Sequence, residues 1–185
     1  VHFSTNYVFD GHRTSGLPYT IDDEARPVNV YGVTKLRGEQ AVVAANPRAF
    51  IVRTSWVFGA GGRNFLSTVA ARLAQGERVQ AITDTFASAT SVTDLVTRVA
   101  ELVDRGHYGT YQIVNEGICS YETFAREAAR LVQSTDDRID TVTESSLARH
   151  ALRPRWTPMR CLLSERLGFS PMRPWQESLG EFVRA

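Results

Sequence analysis

The chain has 185 residues, 43% hydrophobic, 22% charged and 10% aromatic, and its 21 basic and 20 acidic side chains leave a net charge of +1. That balance fits one globular domain with a buried core and excludes a disordered, fibrous or collagen-like chain. No like-charge run is long enough for a nucleic-acid or membrane-surface arm, and no apolar run approaches the ~18 residues of a membrane span. Cys119 and Cys161 form no CxxC or Cys/His cluster. They read as structural thiols of a reducing compartment, so no metal site is expected and the cytoplasm is the expected location.

The first predicted element is a strand over 1–9, VHFSTNYVF, rich in β-branched and aromatic residues. A polar loop with Gly, Pro and Asp follows over 11–27. Asn29 is placed to cap a helix running from about Tyr31 to Ala45, which Asn46-Pro47 ends. AFIVRTSWVFG (49–59) reads as a second buried strand and Gly59 to Gly62 as a turn. A helix is expected from Asn64 to about Gln75, then a short strand near 78–82. Beyond a loop come a helix over 92–104, a strand over 109–115 and a helix over 121–133. A mixed stretch, a basic loop (149–160) and short helices around LLSERLG and PWQESLGEFV complete the chain.

Strands alternating with helices of 10–15 residues predict an α/β fold with a parallel sheet and crossover helices. Parallel strands buried on both faces read as continuous apolar runs, as the opening strand does. A central-type strand at the first residue implies that neighbouring units lie upstream. At ~30 residues per βαβ unit, two or three of them are on the order of 100 residues. No GxGxxG fingerprint occurs in the chain, GAGG at 59–62 being the nearest approach. The expectation is a partial Rossmann-like domain spanning 1–185, N-terminally truncated, with a small substrate lobe mainly at about 60–82 and 110–185.

The sharpest chemical signal is YGVTK, in which Tyr31 and Lys35 stand four residues apart and so share a helix face. A cation ~4–6 Å from a phenol favours the phenolate form and makes tyrosine a usable general acid or base. Thr5 ends the opening strand, at the carboxyl edge where open α/β sheets bind their ligands, and offers a hydroxyl to a carbonyl. The same YxxxK spacing also occurs in surface pairs on ordinary helices.

The context decides between these. STNYVFDG (4–11), ARPVNVYGVTKLRGE (25–39) and RTSWVFG (53–59) occur in order, followed by GGRNF, DTFASATSVTDL, RPRWTPM, SERLG and PWQESL. This series resembles the extended short-chain dehydrogenase/reductase family, and within it the dTDP-4-dehydrorhamnose reductases, over essentially the whole chain. The resemblance implies Thr5, Tyr31 and Lys35 as the catalytic set. Tyr31 would protonate the C4 oxygen as hydride arrives from NADPH, Lys35 would also hold the nicotinamide ribose, and Thr5 would orient the carbonyl. It implies substrate contacts at Asn6, Tyr7, Trp56 and Asn64, and a basic loop of Arg153, Arg155 and Arg160 near the diphosphate of a dTDP-sugar. It also admits NADH, Mg2+ and a homodimer. Without the pyrophosphate cradle, the 185 residues alone are expected to be inactive.

Several positions keep two readings. Trp56 fits a core as well as a sugar platform, Asn64 a helix N-cap as well as a contact, and the basic loop a solvated surface as well as a phosphate grip. Arg53 is expected to anchor a loop or a carboxylate, Glu39 to pair on the helix surface, and Asp22, Asp23 and Glu24 to form a solvated acidic loop. Dehydratases of this superfamily carry Asp-Glu after the threonine, whereas this chain has Asn6-Tyr7, which favours plain ketone reduction. Asn6 stands where the reductases usually have Asp. Thr85, Ala87 and Ala89 replace Gln, Gly and Pro in the loop before the third long helix, a change expected to relax that loop. The alternatives are a non-catalytic sugar-nucleotide-binding or regulatory relative and a different nucleotide-sugar reductase or epimerase.

Overall fold

The computed structural model describes residues 1–148 and 150–185; Arg149, the first residue of the basic loop, lies outside the described residues. In chain order the elements are β1 (His2–Thr5), α1 (Val30–Ala45), β2 (Phe50–Thr54), β3 (Val57–Phe58), α2 (Phe65–Ala74), β4 (Val79–Ile82), β5 (Phe86–Ala87), β6 (Thr90–Ser91), α3 (Val92–Arg105), β7 (Gly109–Gln112), β8 (Cys119–Ser120), α4 (Tyr121–Leu131), β9 (Ile139–Val142), α5 (Leu162–Arg166) and α6 (Trp175–Arg184). Short 3-10 turns lie at Asn6–Val8, Asp136–Arg138 and Glu144–Ser146.

The main sheet is parallel, in the order β1-β2-β7, with Ser4, Arg53 and Gln112 in one row across it. Three two-stranded pairs accompany it: parallel β3-β6 and β4-β9, and antiparallel β5-β8. The α/β class and the parallel sheet are as expected, but the strands are shorter than their apolar runs. The run over 1–9 stops at Thr5, whose hydroxyl accepts the Tyr7 N–H at 3.2 Å and turns the chain into a 3-10 segment. The run over 49–59 breaks at Trp56, which has a left-handed φ of 41°. The strand over 109–115 ends at Gln112. The mixed stretch contains a strand not foreseen, β9, because its partner β4 is remote in sequence.

The long helices start where an Asn or Ser side chain accepts an amide of the first turn: Asn29 from Gly32, Asn64 from Ser67, Ser91 from Asp94 and Ser120 from Thr123. Each such cap contributes about 1 kcal/mol. One core packs α2, α4 and α6 around Phe58, Leu73, Phe124, Trp175 and Leu179. A second covers the sheet with Val52, Leu95, Leu102, Tyr111 and Ile113, and a third joins Val8, Phe9 and Tyr19 to Val114 and Met159. α1 differs from the others: it buries only Gly32 and Glu39, while Val30, Tyr31 and Val43 are exposed.

The loop over 83–91 is packed into the core and tied to its neighbours. Ala87 and Ala89 are fully buried, and backbone bonds tie it to three segments: Thr83 N to Val142 O, Phe86 N to Arg155 O and Thr90 N to Trp56 O. The Ala87 methyl fills space in the core that a glycine would leave open. Cys119 and Cys161 are free, and burial pushes the Cys119 thiol up to about 12. Among the described residues no helix is long and apolar enough to cross a membrane, and no group of three or more His, Cys, Asp and Glu side chains gathers to hold a metal such as Mg2+.

Candidate active site

Thr5 is the last residue of β1, buried, and Asn6 and Tyr7 follow in the 3-10 turn. The Thr5 hydroxyl donates to Asn6 Oδ1 at 3.2 Å, and Asn6 Nδ2 donates to Thr157 Oγ1 at 2.7 Å. The rings of Tyr7 and Tyr31 meet edge to face, with centroids 5.9 Å apart at 81°. This contact depends on Gly32. A Cβ there would collide with the Tyr7 carbonyl oxygen and lie 2.8 Å from Pro27 Cβ, so only glycine lets the first turn of α1 rest on the 3-10 turn.

Tyr31 is half-exposed at the mouth of a cavity of about 550 Å³, lined also by Tyr7, Asn29, Leu152 and Arg153. One turn further along α1, Lys35 Nζ donates to the Phe3 carbonyl at 3.1 Å. The ammonium is therefore held at β1, two residues before Thr5, on the helix that carries Tyr31. Thr5 thus ends β1, Lys35 is bonded to Phe3 of the same strand, and Tyr31 lies one helical turn before Lys35 against Tyr7. Among the described residues β1 has a strand partner on its β2 side only.

The basic loop reaches this place through two close approaches. Gly11, with φ 75°, lies against Pro154, where a Cβ would be 2.7 Å from Pro154 Cα. Asn29 Nδ2 donates to Leu152 O at 2.9 Å while its Oδ1 caps α1. Arg153 thereby lines the Tyr31 cavity and also a second one of about 320 Å³, bounded by Asn64, Gln80, Tyr121 and Val142. Its nearest carboxylate, Glu144, is 4.0 Å away. Of the other two arginines, only Arg160 is held in a close ion pair. Arg155 faces Asp84 at 3.8 Å, and Arg160 forms a bidentate pair with Glu165 at 2.8 and 2.6 Å.

Asn64 is the N-cap of α2: Oδ1 accepts from Ser67 N at 3.0 Å and Nδ2 donates to Val57 O at 2.9 Å. It still lines the second cavity. Trp56 is partly buried and stacks on Tyr121, with centroids 4.0 Å apart, so it reaches that cavity through its neighbour. Tyr121, Gln80 and Thr157 were not foreseen as site residues, for no local pattern marks them. A third cavity of about 540 Å³, between Met159, Cys161, Phe169 and Met172, is lined by Arg160 but by no other expected site residue.

Two charge expectations need correction. Glu39 is not on the helix surface. It is buried and accepts from Arg53 Nε at 2.9 Å, from Arg53 Nη2 at 2.7 Å and from the Ser4 hydroxyl. Arg53 thus anchors a carboxylate, as expected, and the pair bolts α1 to the row of side chains beside Thr5. The acidic loop is exposed at Asp22 and Glu24, as expected, but Asp23 is partly buried. Asp22 pairs with Arg166 at 2.8 Å, Glu24 with Arg26 at 2.5 Å, and Asp23 with Arg13. Burial opposes the charge of Asp23, yet the Thr20 amide and the Arg13 guanidinium hold its carboxyl below the usual range.

The fold has the form of a Rossmann-like α/β protein, a class that binds its ligands at the carboxyl end of parallel strands. The chain belongs to the RmlD substrate binding domain family, whose model matches residues 1–185. It is 39% identical, over all of its length, to a dTDP-4-dehydrorhamnose reductase of Mycolicibacterium smegmatis, of which it spans 57%. Two crystal structures of dTDP-4-dehydrorhamnose reductases match 99% of it. The Clostridium acetobutylicum protein does so at 36% identity and TM-score 0.90, and the Bacillus anthracis protein, solved with NADP, at 32% and 0.91. The chain spans 64% of each of those two chains, less than two thirds.

Proposed function

We propose that these residues form the substrate-binding and proton-donating part of an NADPH-dependent reductase that converts the C4 ketone of dTDP-4-dehydro-L-rhamnose to the alcohol of dTDP-L-rhamnose. The observation that carries this reading is the meeting of two cavities at Arg153, one holding Tyr31 and the other Asn64 and Tyr121. A nucleoside diphosphate sugar has three parts in that sequence. The sugar fits beside Tyr31 and Thr5, the diphosphate at the guanidinium of Arg153, and the nucleoside against Tyr121 and Gln80 in the second lobe. A planar guanidinium with one carboxylate at 4.0 Å keeps donors for phosphate oxygens.

The donor set fits the ribose end of a nicotinamide nucleotide. Tyr31 and Lys35 offer a hydroxyl and an ammonium one helical turn apart on the open side of β1. Bound there, the dihydronicotinamide supplies the hydride. Tyr31 then donates its proton to the C4 oxygen, and Lys35 stabilises the phenolate left behind. Thr5, whose hydroxyl donates to Asn6 in the structure, would turn that proton to the same oxygen when the ketone is bound. Asn6 and Tyr7 place no carboxylate beside the ketone, which supports reduction over elimination of water.

The test is NADPH oxidation by the intact gene product that carries these residues, with dTDP-4-dehydro-L-rhamnose as substrate. Turnover is expected, and Tyr31→Phe should lower kcat at least about a hundredfold. Tight binding of the sugar nucleotide without turnover would replace this reading by the non-catalytic one.

A further inference from the structure

We propose that Thr157 is a positioning residue for Thr5, acting through the side-chain amide of Asn6; the inference rests on the reductase reading above. Asn6 and Thr157 are buried, at 3% and 1% exposure, and stand 151 residues apart. Three hydrogen bonds run in one direction from the site. Thr5 Oγ1 donates to Asn6 Oδ1 at 3.2 Å, Asn6 Nδ2 donates to Thr157 Oγ1 at 2.7 Å, and Thr157 Oγ1 donates to the Phe86 carbonyl at 3.4 Å. In this arrangement the proton of Thr5 points away from any ketone, while its oxygen accepts the Tyr7 amide at 3.2 Å.

The row is reversible. If the Asn6 amide turns over, Nδ2 donates to Thr5 Oγ1 and Oδ1 faces Thr157. Thr5 then has both acceptor positions filled, by Tyr7 N–H and by Asn6, and its proton is free for the C4 oxygen. A hydroxyl at 157 serves both states because it accepts in the first and donates in the second. The Phe86 carbonyl loses nothing essential in the exchange, since the Thr157 N–H still donates to it at 2.9 Å. A carboxylate at position 6 has no donor to turn toward Thr5, so the reversal belongs to Asn6. Thr157 also lies four residues after Arg153, on the segment whose Arg155 carbonyl accepts from Phe86 N at 2.7 Å. The grip on the diphosphate and the orientation of Thr5 are thus set by one short stretch of chain.

The experiment compares Thr157→Val and Thr157→Ser with the unsubstituted protein, measuring kcat, KM and Tm with NADPH and dTDP-4-dehydro-L-rhamnose. Thr157→Val should lower kcat about tenfold, the effect of one hydrogen bond lost from the transition state, with KM changed less than about twofold. Thr157→Ser should recover most of the lost turnover. A rise in KM alone, unchanged kcat in Thr157→Val, or failure of serine to restore turnover overturns the inference. If valine unfolds the protein, serine against alanine gives the same comparison, and equal kcat in those two overturns it. No turnover in the unsubstituted protein overturns the reductase reading itself, a result separate from the behaviour of the variants.

Discussion

Trp56 is one of two described non-glycine residues with positive φ, the other being Gln133. An L-residue in the left-handed region costs about 1–2 kcal/mol, so something must hold it there. Its carbonyl accepts from Thr90 N at 3.2 Å, joining the break between β2 and β3 to β6, and its ring lies on Tyr121. The strained backbone therefore sets a large side chain against Tyr121, which lines the second cavity. Replacing Trp56 by alanine or by glycine deletes the same ring, but only glycine accepts φ 41° freely. Trp56→Gly is expected to be more stable than Trp56→Ala by about 0.5–1 kcal/mol after allowance for the unfolded-state entropy of glycine. The check is the pair of Tm values, and alanine being the more stable would show that the backbone there is unstrained. At this scale the sequence was informative where function is local. Tyr31 and Lys35 are four apart on one helix and could be paired from spacing. Asn6 and Thr157 could not be paired, because a hydrogen bond across 151 residues leaves no periodic trace.

Helices announced themselves through contacts of three or four residues, and their caps at Asn29, Asn64, Ser91 and Ser120 stand where short-range rules place them. Strand ends did not, since an apolar run records burial and not hydrogen bonding: Thr5 and Trp56 stop strands inside such runs. β9 was hidden for the same reason, being four residues long and completed only by β4. α1 is the element whose attachment was least legible. With Val30 and Val43 exposed, it is held by the close approach at Gly32 and by Glu39, whose carboxylate takes Ser4 and both sides of the Arg53 fork. An amide in place of Glu39 offers one acceptor oxygen to three donors and leaves Arg53 without its counter-charge beside Phe9. Removing one partner of a buried pair costs about 3–5 kcal/mol. Glu39→Gln should then lose about 3 kcal/mol, a drop in Tm on the order of 10 °C, and should lower turnover because Tyr31 and Lys35 ride on the same helix. Urea unfolding measures the first effect; a loss below about 1 kcal/mol would mean that α1 is held by something other than this pair.

Across the whole molecule, the sheet core and the α2–α4–α6 core are stitched by one carboxylate. Asp94, in the first turn of α3, accepts from Arg173 Nη2 at 2.8 Å, from Ser178 Oγ at 2.6 Å and from Asn115 Nδ2 at 2.7 Å, so it ties α3 to α6 and to the residues after β7. Burial opposes its charge, but the Arg173, Ser178 and Asn115 donors outweigh burial and hold its carboxyl below the usual 3.8. A folded-state value below the unfolded one means that the unfolded chain binds the proton first. The stabilisation is therefore complete well above pH 4 and is lost as pH falls through the lowered folded value. Asp10 and Asp23 are shifted in the same direction and add to the effect. Stability should change little between about pH 8 and pH 5 from these groups and fall steeply below about pH 4. Asp94→Asn separates the hub from the rest: charged hydrogen bonds of this kind contribute about 1.5–3 kcal/mol each, so the variant should be about 2 kcal/mol less stable at pH 7. Its deficit should shrink as pH drops below about 4, where the unsubstituted protein loses the same charge. Denaturant unfolding at pH 7 and pH 3 decides the matter: a deficit equal at both would mean that Asp94 joins the two cores through its shape and not through its charge.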